Sequence, residues 1–263
     1  MISADFHTHS TFSTDGTDKL EDMVNSAWQK GLRTICLTEH NDFDYPGGEF
    51  LLDAAAYREE LFRVKEKFSG KIEVLFGVEL GLMKHLGERL SAFLSENRFD
   101  FVINSTHLVD GKDPYFPEYF GELGQHNGVL RYLESVLENI CAFSDFDVCG
   151  HIDYAVRYSP EKRYDPADYR EVIDEILKKV LSLGKGIEIN TAGLRKGLSH
   201  ANPHPFVLGR YKELGGEIIT VGSDAHNTAD VAADFAAAEE MLKEAGFEFY
   251  TIFKNRKPEF IKM

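Results

Sequence analysis

The sequence predicts an α/β protein in which seven strand-and-helix units close into a barrel. Seven short apolar runs alternate with stretches of helical periodicity. Such alternation with short joins is typical of parallel strands linked by right-handed crossovers. Six of the seven runs end in a histidine or a carboxylate. Because an open doubly wound sheet gathers ligands at a single crevice, so many ligand-bearing strand ends favour a closed ring.

The predicted strands are apolar and rich in β-branched residues, as strands buried on both faces are. Imidazole or carboxylate groups at the ends of such strands cost stability unless something binds them. The strand ends therefore predict a metal site with several ions. The seven runs are Ala4 to His9, Arg33 to His40, Ile72 to Glu79, Asp100 to His107, Phe146 to His151, Gly186 to Thr191 and Glu217 to His226.

Each predicted helix combines an apolar face with a start or stop signal. The first begins at a sequence that resembles a capping box, Asp18 to Glu21, and ends at Gly31. Pro166 and Pro205 suit the first turn of their helices. The remaining helices are predicted over Leu52 to Phe68, Glu88 to Leu94, Leu130 to Phe143, Pro166 to Leu183, Pro205 to Leu214 and Asp230 to Ala245. The tail, Phe247 to Met263, is expected to form an edge strand or hairpin rather than an eighth unit.

Composition sets limits on the class of protein. The chain has 263 residues, of which 43% are apolar and 28% charged, so it is not mainly disordered. No linker or low-complexity segment divides it, and we expect one domain over residues 1–263. The net charge of −15 disfavours an extended nucleic-acid interface. A small anionic substrate is compatible with it, because bound metal ions reverse the local sign.

The three cysteines, Cys36, Cys141 and Cys149, are odd in number and lie among apolar neighbours. This pattern predicts buried thiols in a reducing compartment. The chain enters a strand almost at once, which leaves no room for a signal peptide, and no apolar run approaches the ~20 residues that span a bilayer. We therefore expect a soluble cytoplasmic protein without a membrane partner. Its oligomeric state is left open.

The longest irregular stretch runs from Leu108 to Gln125 and is rich in aromatic residues. Its length favours either a loop that covers the site or a surface loop folded on its own aromatic side chains. The sequence does not distinguish the two.

Two pairs of side chains start the argument for a metal centre. His7 and His9 lie two apart on one strand, so both imidazoles face the same side. Asp224 and His226 repeat this spacing at the end of the last strand. Closure of a barrel places its first and last strands side by side, so the two pairs become neighbours.

Further candidates follow from the other strand ends. Nine donors are too many for one ion and suit three divalent ions if a carboxylate bridges two of them. Imidazole with carboxylate and without thiolate favours Zn, Mn or Fe(II). The candidate ligands are His7, His9, Asp15, His40, Glu79, His107, His151, Asp224 and His226. Of the remaining histidines, His85 and His126 are predicted to be solvated, and His200 and His204 rank lower because they lie off the strands.

The expected charge of the centre predicts its chemistry. Three dications exceed the charge of the three carboxylates among the candidates, which attracts a phosphate to an otherwise acidic protein. Clustered metal ions also lower the pKa of a bridging water and hold the oxygens of an in-line displacement. Hydrolysis of a phosphoester uses both properties.

The motifs resemble those of the polymerase-and-histidinol-phosphatase (PHP) superfamily along the whole chain. The resemblance is carried by Asp5 to Ser10, Thr38-Glu39-His40, Glu79, Ser105-Thr106-His107, Gly150-His151 and Gly222 to His226. His40 to Pro46, Glu188 to Lys196 and Asn202 to Phe206 resemble the stand-alone histidinol-phosphatases. The resemblance implies a distorted (β/α)7 TIM-like barrel of PHP type with a trinuclear centre.

The resemblance also implies how the ligands are shared. One metal would be held by His7, His9, Glu79 and Asp224, the second by Asp15, His40 and His226, and the third by Glu79, His107 and His151. Position 15 is histidine in some relatives, which leaves the identity and occupancy of the second metal open. Asp224, His226 and Glu79 are expected to act in catalysis.

The implied activity is hydrolysis of L-histidinol phosphate by a metal-activated hydroxide. The alternatives are a PHP phosphoesterase for another small phosphate ester and a non-catalytic scaffolding module. Arg195 and Arg157 follow the sixth and fifth strands, and a guanidinium can hold phosphate oxygens bidentately. Either arginine is also compatible with an ordinary surface ion pair. Glu188 and Asn190 lie two apart on one strand, so both point into the barrel or both point away from it; if they point inward, one of them is expected to orient a ligand.

Overall fold

A ring of seven parallel strands forms the centre of the protein. The computed structural model describes residues 1–263, and each strand pairs with the next in sequence order. The strands are β1 (Ala4–Asp5), β2 (Thr34–Asn41), β3 (Glu73–Gly81), β4 (Phe101–Ser105), β5 (Val148–Cys149), β6 (Gly186–Asn190) and β7 (Ile219–Gly222).

Backbone hydrogen bonds close the ring between its first and last strands. The Phe6 N–H donates to the Val221 carbonyl at 3.0 Å, and the Asp224 N–H donates to the His7 carbonyl at 2.8 Å. Thr8 and Ala225 form a parallel bridge just beyond the two strands. The predicted seven-stranded barrel is confirmed.

Two strands are much shorter than their apolar runs. β1 and β5 each keep two residues of regular ladder, although the backbone beyond β1 still bonds to the chain beyond β7. Irregular backbone at these strand ends distorts the barrel at the edge where the candidate ligands lie.

Helices cover the outside of the ring, mostly where the periodicity predicts them. They are α1 (Leu20–Gln29), α2 (Ala54–Lys67), α3 (Gly87–Glu96), α4 (Pro117–Ala142), α5 (Arg170–Ser182), α6 (Ala192–Arg195), α7 (Pro205–Glu213) and α8 (Phe235–Glu244). Short 3₁₀ helices occupy Pro46–Gly48, Tyr154–Tyr158 and Pro166–Tyr169. Pro205 begins α7, whereas Pro166 begins a 3₁₀ turn that leads into α5.

The predicted starts of the first and last helices are wrong. The residue that precedes α1 is Lys19, and no side chain caps this helix. Asp18 instead accepts a hydrogen bond from the Thr228 N–H at 2.7 Å, so its carboxylate joins two loops at the ligand-bearing edge. The last helix begins at Phe235 rather than Asp230, because residues 230–234 form turns with left-handed backbone at Ala232 and Asp234.

The stretch from Leu108 to Gln125 is only partly irregular. Helix α4 already begins at Pro117, thirteen residues before the predicted start at Leu130. Gly124 adopts a φ of 73° inside it and breaks the regular turn, which disrupts the apolar period that the prediction relied on. The irregular segment therefore shrinks to residues 108–116.

The tail forms a C-terminal hairpin, one of the two forms predicted for it, and this hairpin covers the end of the barrel opposite the candidate ligands. Its strands are β8 (Phe249–Lys254) and β9 (Lys257–Lys262), paired antiparallel. Thr251 accepts a hydrogen bond from Ile219 N–H at the start of β7, and the Phe253 ring lies 5.1 Å from that of Phe101 at the start of β4. The hairpin thus packs on the amino ends of the strands.

The cysteine prediction holds for two thiols of three. Cys36 and Cys149 are buried in strands, but Cys141 is exposed near the end of α4. No helix combines the length and apolarity needed to cross a membrane.

Candidate metal centre

Glu79, at the end of β3, lies at the middle of the carboxyl-end face of the barrel. Its Oε2 is 3.2 Å from His7 Nε2 and 3.4 Å from His9 Nε2. Asp224 Oδ1 lies 3.7 and 3.6 Å from the same two nitrogens. His7, His9 and Glu79 have fully buried side chains. Strands from both ends of the chain thus direct four donors at one point.

A second group lies at the more open side. Asp15, in the loop after β1, approaches His226 Nε2 at 3.1 Å and His40 Nε2 at 3.8 Å. The His9 ring stacks against the rings of His40 and His226, with centroids 4.2 and 4.3 Å apart. His9 therefore borders both groups. The ligand set implied by the resemblance assigns His9 to the first metal only.

The third group lies on the other side of Glu79. Its Oε1 is 3.0 Å from His151 Nε2 and 3.3 Å from His107 Nε2. The Ser105 hydroxyl donates to the same oxygen at 2.6 Å. The two oxygens of Glu79 thus face different groups of imidazoles, as a bridging carboxylate requires.

Buried donor atoms without hydrogen-bond partners indicate whether metal ions could bind in this cluster. Several buried polar atoms lack any such partner, although buried polar groups are normally satisfied. Most of them belong to this cluster: His7 Nε2, His9 Nε2, His40 Nδ1, Glu79 Oε2, His151 Nδ1 and His226 Nε2. His151 faces Glu79 with its other nitrogen, Nε2. The convergence of the remaining five atoms fits divalent cations bound by imidazole and carboxylate.

Burial lowers the pKa of every candidate histidine, but nearby carboxylates outweigh it at His7, His40, His107 and His226, and the pKa of each of these four is raised. Burial and the nearby imidazoles of His40 and His226 hold the pKa of His9 well below its ordinary value, so its ring is neutral and ready to bind a metal. Burial also lowers the pKa of His151. Burial alone would raise the pKa of Glu79, but the surrounding imidazoles outweigh it and hold that pKa well below its usual range. The central carboxylate is therefore ionised.

Comparison with known proteins agrees with this geometry. The family pattern described as the PHP domain matches residues 5–192. This chain belongs to the PHP family. It is 32% identical to the histidinol-phosphatase of Lactococcus lactis, over 98% of this chain and 96% of that protein. It is also 32% identical to a probable histidinol-phosphatase of Clostridium acetobutylicum, over 93% of this chain and 94% of that one.

A solved structure resembles the whole PHP barrel. The crystal structure of histidinol phosphate phosphatase from Lactococcus lactis, complexed with Zn, L-histidinol and phosphate, superposes with a TM-score of 0.90. It is 30% identical and covers 98% of each chain. A protein from Listeria monocytogenes, 23% identical with a TM-score of 0.80, shares the fold.

Glu188 holds the candidate ligand His7 in place. Its Oε1 lies 2.5 Å from His7 Nδ1, and its Oε2 accepts a hydrogen bond from the His151 N–H at 3.0 Å. A carboxylate on the far nitrogen of a ligating histidine fixes the ring and strengthens it as a ligand. Gly222 leaves room for this pair, because a Cβ there would lie 2.3 Å from the Cβ of His7.

Asp42 performs the same task for His107 and was missed by the sequence analysis. Its Oδ1 is 2.9 Å from His107 Nδ1. Asp42 lies two residues beyond His40, and residues two apart on a strand share a face. That spacing is the signal that would have identified it.

Asp5 supports the loop that carries Asp224 and His226. The buried Asp5 carboxylate accepts hydrogen bonds from the Ser223 N–H at 2.9 Å, the Ser223 hydroxyl at 2.5 Å and the Ala232 N–H at 2.9 Å. Asp224 itself adopts a φ of 54°, a left-handed conformation that aspartate tolerates better than most residues. The loop is thereby held with Asp224 aimed inward.

Arg157 is anchored within the site. Its side chain is 2% exposed and donates to Asp224 Oδ2 at 2.9 Å, Asn190 Oδ1 at 2.6 Å and Asn202 Oδ1 at 2.6 Å. The guanidinium thus holds one oxygen of Asp224 and leaves the other for the metal centre. Three of its five N–H groups are occupied, and its role toward phosphate stays a prediction.

Arg195 lies at the rim, above the end of β6. It donates to the Ser223 carbonyl and lies 3.4 Å from Asp234 and 3.5 Å from Asp230. The side chain is 21% exposed. Ion pairs with the loop after β7 therefore hold it beside the site, and contact with phosphate stays a prediction for this residue too.

The histidines set aside by the sequence analysis lie away from the cluster. His85 pairs with Asp44 on the surface, and the exposed His126 contacts the Tyr169 hydroxyl. His204 accepts a hydrogen bond from the Phe206 N–H at the start of α7. His200 packs edge-on against His204.

Proposed function

We propose that this PHP protein is a metal-dependent phosphomonoesterase that hydrolyses L-histidinol phosphate to L-histidinol and phosphate, a step of histidine biosynthesis. The observation that carries the proposal is the convergence of the candidate donors, several without other partners, at one end of the barrel. Eight of the nine lie in tight groups of three, and Asp15 lies 3.1 Å from one of them, His226. The likeness to a phosphatase crystallised with Zn, L-histidinol and phosphate supports the substrate.

The nine ligands proposed for three divalent ions are His7, His9, Asp15, His40, Glu79, His107, His151, Asp224 and His226. The donor set suits Zn, Mn or Fe. Metal ions bound there supply two kinds of chemistry: they lower the pKa of a water molecule and stabilise charge on phosphate oxygens. The nine side chains determine where these ions would lie.

Exposure indicates where the substrate enters. Asp15 and His226 are 47% and 26% exposed, whereas the side chains around Glu79 are buried. The phosphate therefore approaches from the side of Asp15 and His226. Asp224 and His226 border this opening and, with Glu79, are the residues that we propose act in catalysis.

The chain fixes these groups before any substrate arrives. Arg157 and Asn190 hold Asp224 Oδ2 at 2.9 and 3.2 Å, so its Oδ1 stays directed at His7 and His9. Groups held rigidly in a buried site need no reorganisation during the reaction. Arg157 and Arg195 are proposed to add positive charge beside the phosphate.

We further propose that residues 1–263 act as one domain and that the enzyme works in the cytoplasm. Free buried thiols at Cys36 and Cys149 are compatible with a reducing compartment.

Replacement of one ligand tests the proposed function. His9→Ala removes the imidazole that borders two groups of donors. The value of kcat/KM for L-histidinol phosphate is expected to fall at least ~100-fold, because loss of a residue that only supports a metal ligand already costs up to ~100-fold. His126→Ala, at the exposed histidine on α4, is the control and should change activity less than about twofold. Normal activity in His9→Ala would defeat the proposal.

A substrate panel separates the proposed activity from a broader phosphoesterase. The wild-type enzyme should show at least ~10-fold higher kcat/KM for L-histidinol phosphate than for 4-nitrophenyl phosphate or a sugar phosphate, because one well-made contact already gives about tenfold. Equal values across the panel would support the alternative of another small phosphate ester.

A further inference from the structure

Aromatic side chains wall the metal centre on one side, and the proposed chemistry does not use them. The Tyr154 ring lies 5.6 Å from His107 and 4.9 Å from His151. Tyr158 lies 5.2 Å beyond Tyr154, and Tyr115 lies 5.2 Å beyond Tyr158. This first arm leads from the ligands to the segment between β4 and α4.

A second arm leads to the same place from β2. The Phe50 ring lies 5.3 Å from His40, and Tyr45 lies 4.7 Å from Phe50. The Tyr45 hydroxyl donates to Asp113 Oδ2 at 2.9 Å, and Asp113 Oδ1 accepts a hydrogen bond from the Tyr115 N–H at 2.8 Å. The two aromatic arms therefore meet at the Asp113 carboxylate.

Asp113 has only neutral donors for partners. It is half-buried, and none of the ion pairs of the structure includes it. Burial raises the pKa of Asp113, and the nearby Asp42 adds to the rise, while its hydrogen bonds and His107 lower it. A partly desolvated carboxylate without a counter-charge favours a cationic ligand.

We propose that Asp113, with the rings of Tyr45, Tyr115 and Tyr158, binds the ammonium group of L-histidinol phosphate. The inference rests on the proposed function. The substrate joins a phosphate, which the metal ions attract, to an ammonium group, which they repel. A carboxylate among tyrosine rings accepts charge-assisted hydrogen bonds and offers π faces to the cation. Asp113 is thus a specificity-determining residue for this substrate.

The test compares two esters that differ only in the amine. L-histidinol phosphate carries it, and 3-(imidazol-4-yl)propyl phosphate does not; at pH 8 the imidazole of both is mostly neutral. Asp113→Asn keeps the shape but removes the charge. It should lower kcat/KM for L-histidinol phosphate ~10- to 100-fold, the effect expected when a hydrogen bond to a charged group is lost. Most of this loss should be a rise in KM. For the amine-free ester the change should be less than about threefold.

Two further variants complete the design. Asp110→Asn alters another carboxylate of the same segment, one that pairs with Arg131 away from the site, and should leave both activities unchanged. Asp113→Glu keeps the charge and should retain most of the preference for the amine. Equal losses on both esters in Asp113→Asn, no loss on either, or a preference lost as fully in Asp113→Glu would overturn the inference.

The outcome also separates this inference from the proposed function. A wild-type enzyme that prefers L-histidinol phosphate, beside an Asp113→Asn variant that keeps the preference, defeats only the ammonium subsite. A wild-type enzyme that cleaves neither imidazole ester faster than 4-nitrophenyl phosphate defeats the proposed function itself.

Discussion

At the scale of single residues, the candidate ligands are held by further side chains behind them. His7 illustrates this: one ring nitrogen faces Glu79 and Asp224, while Glu188 holds the other at 2.5 Å. The orienting carboxylate fixes which nitrogen faces the centre and where the ring lies.

Glu188→Gln tests this support. Loss of the carboxylate should weaken metal binding or lower kcat/KM ~10- to 100-fold, because His7 loses its charged partner. Metal titration of the chelated protein and steady-state kinetics measure both effects. Glu217→Gln, at an exposed position before β7, is the matched control. Unchanged affinity in Glu188→Gln would show that His7 needs no such partner.

Gly222 offers a steric test of the same pair. An added Cβ would lie 2.3 Å from His7 Cβ and 2.6 Å from Glu188 Oε1, so Gly222→Ala should destabilise the protein by ~1–3 kcal/mol and disturb metal binding. Gly209→Ala, on α7 with open space around it, should be neutral or stabilise by up to ~1 kcal/mol. Chemical denaturation measures both; equal effects would contradict the steric argument.

Residue spacing predicted much of this site but not all of it. The pairs His7 with His9 and Asp224 with His226 follow from the two-residue period of a strand. In the structure, Asp224 Oδ1 lies within 4 Å of a ring nitrogen of each of the three histidines. Asp42 obeys the same period and was overlooked. Asp113 carries no such signal, because its partner Tyr45 lies 68 residues away on another loop.

At the scale of elements, the two ends of the barrel have separate tasks. The carboxyl ends of the strands hold the candidate ligands, while the β8–β9 hairpin packs on the amino ends. Stability and chemistry are therefore expected to respond to different substitutions.

Phe253→Ala tests this separation. The ring is buried against Phe101, and its removal should cost ~3–5 kcal/mol of unfolding free energy while kcat and KM at 25 °C change less than about twofold. Phe260→Ala, at a ring 49% exposed on the same hairpin, should cost less than ~1 kcal/mol. A large loss of kcat in Phe253→Ala, with the protein still folded, would show that the two ends are coupled.

Element boundaries were predictable where a local signal is strong. Pro205 begins α7, and the apolar runs locate all seven strands. The start of α4 was not predicted, because Gly124 interrupts its period. The start of α8 was not predicted either, since it follows left-handed turns at Ala232 and Asp234, and the Ala232 N–H donates a hydrogen bond to the distant Asp5 carboxylate.

At the scale of the whole molecule, closure of the ring produces the site. The candidate ligands lie between residues 7 and 226, and the bonds between the first and last strands bring the ends of that span together. The net charge of −15 would repel a phosphate, so a positive centre is needed to attract it.

Chelation followed by metal addition tests this dependence. Removal of metal should abolish turnover of L-histidinol phosphate, because the buried donors then attract protons instead of cations. Added Mn or Zn should restore turnover. Full activity in the metal-free protein would exclude the proposed chemistry.

The central claim, that nine side chains form a polynuclear metal centre, is tested most directly by the metal content of the purified protein. Elemental analysis should find about three divalent ions per wild-type chain, the number that suits nine donors around a bridging carboxylate. Glu79→Gln, which lacks the bridge, should hold fewer. A wild-type chain that holds no more than one ion after growth and dialysis in metal-supplemented medium would contradict the account.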